Sequence, residues 1–267
     1  MSTNVIPQRS YTKVLTTSSY SSRVRESTFS SRVYFGFLLN LLFEDVLQPA
    51  IADTLKADPD TWMEELLAGL VSSADTGNEE LVIATRAALC GFCQQSKEKT
   101  DAVCTALVRN LKSRQGQDRV LVPTLEVTAF LLHVGIFETC DKINYKSLCL
   151  QVQKACYKTG NIRKIEACIR VYGAVAELGR SRGSDQASLD GTNEQKKQGG
   201  ITDARKRLGA LMMHPWPRIR SFVVDELWGL TSTSLNDPAA QKLKSVDWGK
   251  AEKGSVKSLV EALELGS

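Results

Sequence analysis

The sequence predicts an all-α protein, a HEAT/armadillo-like α-solenoid built from antiparallel helix pairs. Three observations predict it. From about Phe29 onward apolar residues recur at three- and four-residue spacing, the period of a helix that buries one face. Alternation of the strand kind is sustained nowhere. Short turns containing Gly, Asn or Pro separate the periodic segments, as tight connections between antiparallel neighbours require.

Residues 1–27 are rich in Ser and Thr, and Glu26 is the only acid among the first thirty residues. They read as a disordered lead-in or a loop of a longer parent chain, against the alternative of a mitochondrial transit peptide. Helical repeats are expected over 28–179. The first helix runs from about Thr28 to Val46, with Pro49 near its stop. Its run Tyr34–Phe43 is the most apolar stretch, but it contains Asn40 and falls short of the roughly 20 residues a membrane-spanning helix needs. Asp58 and Pro59 then supply an N-cap and a proline at the first helical position, opening a helix through Trp62, Leu66, Leu67 and Leu70.

After the turn at Thr76, Gly77 and Asn78, the residues Leu81, Val82, Ala84, Thr85, Ala88, Leu89 and Phe92 fill one broad face of the next helix. Helices follow over Thr100–Lys112, Val120–Phe137, Tyr145–Tyr157 and Ile162–Leu178, with turns at Gly116 and at Thr159, Gly160 and Asn161. Residues 180–200 turn to Gly, Ser, Asp, Gln and Lys and read as a flexible insertion. The region 201–267 resumes with a helix over Thr202–Met213. Pro215 and Pro217 break it, a helix over Arg218–Leu230 follows, and weaker tails cover Asn236–Trp248 and Ser255–Leu265.

A faint repeat accompanies this pattern. An Arg beside a β-branched residue opens a helix at Arg119 and Val120, at Ile162 and Arg163, and at Ile219 and Arg220. The first two are separated by a distance within the roughly 40 to 47 residues of HEAT and armadillo units, and the insertion accounts for the longer second interval.

Charge and motifs narrow the function. The net charge of +4 and pI near 8.6 are too mild, and the charges too interspersed, for a nucleic-acid binder. The seven cysteines, Cys90, Cys93, Cys104, Cys140, Cys149, Cys156 and Cys168, are an odd set among apolar neighbours, which fits free buried thiols in a reducing compartment. Cys90 and Cys93 have the spacing of a thioredoxin-like pair but lie inside a helical stretch with no βαβ pattern, so core packing is the expected role. Zinc could draw on Cys90, Cys93, Cys104 and His133, but a structural site normally joins two close pairs. No glycine-rich phosphate loop is present, so the chain itself is not expected to bind a nucleotide. Neither His133 nor His214 has a Ser or Cys motif around it for nucleophilic catalysis. No catalysis and no cofactor are expected, and any effect on GTP hydrolysis would be exercised on a partner within a larger complex.

The segments Trp62–Leu89, Asp118–Leu132, Ile162–Leu178 and His214–Trp228 resemble, in that order, the carboxy-terminal region of the tubulin-folding cofactor D family. The resemblance spans most of Arg32 to Trp248. It implies β-tubulin and αβ-tubulin as partners, together with tubulin cofactors C and E and an Arl-type small GTPase, in post-chaperonin tubulin folding and in assembly or disassembly of the heterodimer. It also implies a cytoplasmic, microtubule-associated location with no membrane span. Family members are much longer, so the chain is expected to be one part of such a molecule. A generic HEAT/armadillo adaptor, a mitochondrial helical protein and a CxxC redox protein are the rival readings.

The candidate protein interface is Trp216, Arg218 and Arg220. Two prolines hold Trp216 on a stiff corner, and the arginines begin the next helix. Two alternatives are open: a partner-facing hot spot, or a Trp216 folded back on Phe222, Val223 and Leu227 with both arginines paired internally.

Overall fold

The computed structural model describes residues 79–178, 191–231, 238–248, 250–251, 253–263 and 265. The segment 1–27, both helices expected between Thr28 and Leu70, and residues 179–190 of the insertion lie outside the described residues. Among the described residues there is no strand. Nine α-helices are found there: α1 Glu79–Cys93, α2 Lys97–Ser113, α3 Asp118–His133, α4 Tyr145–Cys156, α5 Ile162–Glu177, α6 Gly191–Met212, α7 Pro217–Thr231, α8 Pro238–Ser245 and α9 Lys253–Ala262.

Local chemistry sets most of these ends. Ser96 accepts from the backbone N–H of Lys99 (3.2 Å), Asn144 from that of Ser147 (2.9 Å) and Asn161 from that of Lys164 (3.3 Å), so α2, α4 and α5 each begin on a side-chain N-cap. α3 stops at His133, short of the expected Phe137. Gly135 adopts φ 80°, a left-handed conformation that ends a helix cheaply only at glycine, and a 3₁₀ turn over Ile136–Thr139 follows.

The helices stack in two layers. α2, α4 and α6 pack successively in one layer and α3, α5 and α7 in the other, while α2/α3, α4/α5 and α6/α7 form the antiparallel pairs; α1 lies on α2 and α3. The most extensive packing joins α3 to α5. One contiguous apolar core threads the stack from Leu89 to Leu265. α5 is its centre, burying Ile165, Ile169, Val171, Tyr172 and Val175 among others. This is the solenoid-like all-α architecture that the helical periodicity predicts.

α6 departs from expectation at its start. It begins at Gly191, so residues 191–200 are helical where the sequence reads as a flexible insertion. Gly200 gives the physical reason for keeping glycine there. It is buried against α4, where a Cβ would collide with the side chain and backbone of Tyr145. The glycine is a notch for close helix approach, not a mark of a linker. Tyr145 in turn donates its buried hydroxyl hydrogen to the Phe137 carbonyl (2.8 Å).

Candidate functional site

The corner between α6 and α7 is stiffened by more than its prolines. The Trp216 N–H donates to His214 Nδ1 (3.1 Å), and the two rings meet edge to face with centroids 5.1 Å apart. Burial and the charge of Arg220 hold the His214 pKa below its ordinary value, which keeps the ring neutral and its Nδ1 able to accept. Arg220 donates from Nη1 to the carbonyls of His214 (3.0 Å) and Pro215 (3.3 Å), and from Nε to that of Trp248 (2.9 Å). One guanidinium therefore closes the corner and ties it to the segment after α8. Trp248 returns the favour to α8, its indole N–H donating to the Leu243 carbonyl (2.8 Å).

The three candidate residues thus part company. Arg220 is committed to backbone carbonyls. Arg218 donates to Glu166 of α5 (2.8 Å) yet keeps 68% of its side chain exposed. Trp216 is 39% exposed, whereas Val223 and Leu227 are buried in the apolar core and Phe222 packs against it. Of the three, Trp216 and the outer face of Arg218 are the groups a partner can reach.

Polar contacts link the equivalent corners of successive pairs. Asp118, at the start of α3, accepts from Lys164 Nζ (2.6 Å) and from Asn161 Nδ2 (2.9 Å) at the start of α5. Burial alone would raise the Asp118 pKa; the bonds from Lys164 and Asn161 hold it below the usual carboxylate value. Gln115 after α2 donates to the Gln151 carbonyl of α4 (3.2 Å). Sequence reasoning missed this ladder, because nothing in a linear string marks which acid faces which lysine. It also missed Tyr157, 67% exposed directly after the end of α4 on the turn to α5. Its signal was available in the Tyr157 and Lys158 pair that directly precedes Thr159, Gly160 and Asn161.

Five of the seven thiols are buried, and Cys90 and Cys156 are half-buried. Burial pushes the Cys93 pKa up to about 12, with the neighbouring Cys90 and Cys140 adding to the rise, which is the opposite of an activated thiolate. The four residues weighed for zinc are not brought together as a set. His133 instead sits 3.4 Å from Glu177 through Nδ1, and among the described residues no cluster of three or more His, Cys, Asp or Glu is placed to hold a metal ion. Cys168 Sγ donates to the Val152 carbonyl (3.7 Å) and Cys149 Sγ to that of Gly200 (3.8 Å). No described helix is long and apolar enough to cross a membrane.

The model of one family, tubulin folding cofactor D C terminal, matches residues 5–164. The match covers well over half of the chain and ends at the start of α5, before the corner of Trp216. No curated protein and no solved structure matches the chain significantly.

Proposed function

The chain belongs to the tubulin folding cofactor D C-terminal family, and from that premise we propose that it acts by binding, as a scaffold for tubulin in post-chaperonin folding and in assembly or disassembly of the αβ heterodimer. The family match over residues 5–164 carries this reading. The architecture supports it: stacked helix pairs present a long ridged surface, suited to gripping a large folded protein. Within the proposal β-tubulin is the primary partner, and cofactors C and E and an Arl-type GTPase act with it in the cytoplasm. Any influence on GTP hydrolysis is exerted on those partners inside the larger complex.

Affinity purification of the tagged chain from cytosol tests the reading. Co-purification of tubulin, with the GTPase and the sister cofactors at lower yield, is the expected result. A recovered set dominated by other proteins, with tubulin at background, would overturn the tubulin assignment.

A further inference from the structure

The turns that join the helices within each pair lie side by side along one edge of the stack. Asp118 to Asn161 joins the α2–α3 turn to the α4–α5 turn directly, and Gln115 to Gln151 and Arg218 to Glu166 reach from a turn onto the helices of the neighbouring pair. At each turn a helix C-terminus stands beside an N-terminus, so the dipoles oppose and the side chains decide the sign of the field. Those side chains are basic. Over residues 112–119, 154–163 and 213–220 the exposed charged groups are Lys112, Arg119, Lys154, Lys158, Arg163 and Arg218. The one acid in these stretches is Asp118, which Lys164 and Asn161 already engage. Arg163 and Arg218 touch Glu126 and Glu166, yet 61% and 68% of their side chains remain exposed.

The same edge is also where apolar surface is shown to solvent. Tyr157, Met213 and Trp216 are three of the six large hydrophobic residues exposed among the described residues, and the two aromatic ones are both here. Lys158 lies over the Tyr157 ring with its Nζ 5.2 Å from the centroid, and holds a left-handed φ of 51° where glycine would be easier.

We propose that this edge is a docking surface for an extended, acidic polypeptide segment. Tyr157 and Trp216 supply the aromatic anchors and the surrounding lysines and arginines receive carboxylates. Packed helices repeat at roughly 8–10 Å, so three turns span about 20 Å, the length of about six residues of extended chain. A polypeptide is favoured over nucleic acid because the chain as a whole is nearly balanced, at +4 with a pI near 8.6, below the strongly basic footprint of nucleic-acid domains. The proposal does not rest on tubulin being the partner, and its test uses no tubulin.

The test is fluorescence anisotropy of a labelled, Glu-rich peptide of about twelve residues titrated with the full chain. Saturable binding is expected, weakening at least threefold when salt rises from about 50 to about 200 mM. Reversing Lys112→Glu, Lys154→Glu and Lys158→Glu together should weaken binding by at least about tenfold. Reversing Lys146→Glu and Lys257→Glu, both exposed and away from these turns, should leave it within about twofold. Tyr157→Ala with Trp216→Ala should weaken binding with the helical signal unchanged. If the triple reversal proves unstable, Lys158→Glu and Lys112→Glu are measured singly. Lack of saturable binding, or equal loss from both sets of reversals, overturns the proposal. So does tighter binding of a single-stranded oligonucleotide of equal charge or of phosphatidylserine vesicles.

Discussion

Glu226 is a carboxylate whose environment changes its chemistry. It projects from α7 toward Gly173 of α5, where a Cβ would crowd its carboxylate. Burial raises its pKa to about 7, Arg170 opposes the rise, and Glu177 and Asp225 add to it. The sign follows from proton binding. Between the ordinary carboxylate value and about 7 the folded chain holds a proton the unfolded chain releases, so stability falls as pH climbs through that window. Glu226→Gln, which keeps the shape and removes the ionisation, should therefore raise stability by roughly 1–3 kcal/mol at pH 8 and change little at pH 5. Thermal melts of both proteins across that range check it; an equal effect at both pH values would place the cause in packing and not in charge. The sequence gives no hint of this group, since a Glu in an amphipathic helix ordinarily faces solvent. Only the approach of α5, made close by a glycine, buries it.

At the scale of single elements, the sequence was most legible where local chemistry decides. Helical period and turns at Gly and Asn were enough to find most helices in 79–178 within a few residues, while the Ser96 and Asn144 caps emerged only in the structure. The sequence was least legible at α6, where glycine has two opposite uses. Gly199 and Gly200 are neighbours in the same helix, yet a Cβ on Gly199 would meet nothing, while one on Gly200 would strike Tyr145. Gly199→Ala should accordingly stabilise by roughly 0.5–1 kcal/mol through helix propensity. Gly200→Ala should destabilise by roughly 1–3 kcal/mol through overpacking. Denaturant midpoints of the two variants separate the readings, because a true linker would respond alike at both sites. The Asp118–Lys164 pair between α3 and α5 was illegible for a different reason: its members meet only through stacking of adjacent pairs. Lys164 is the buried partner, at 9% side-chain exposure, against 37% for Asp118. Asp118→Ala strands that ammonium and should cost roughly 2 kcal/mol, with Lys164→Met recovering part of the loss in a double-mutant cycle. Additive losses would show that the two side chains do not depend on each other.

For the whole molecule, stacking predicts a gradient of stability. In a solenoid each pair is held by its neighbours, so an inner pair opens only when an outer one has opened. α5 is flanked by α3, α4, α6 and α7 and buries residues on all these sides, including Tyr172, whose hydroxyl is within 3.5 Å of the Cys149 carbonyl. α8 and α9 touch their neighbours far more sparingly, and each is only about two to three turns long. Helices that short are marginal in water without tertiary support. Native-state hydrogen exchange should therefore rank the amides of α5 as the most protected, exchanging by global opening. α3, α4 and α6 should come next, and α8 and α9 should exchange by local opening at low free energy. Arg220 tempers the end of this series, because its bond to the Trp248 carbonyl fastens the segment after α8 to the α7 corner. Arg220→Ala should raise exchange in α8 and leave α5 unchanged. Equal protection of α5 and α9, or uniform loss after Arg220→Ala, would mean that the chain opens as one cooperative unit and that nearest-neighbour stacking is not what holds it.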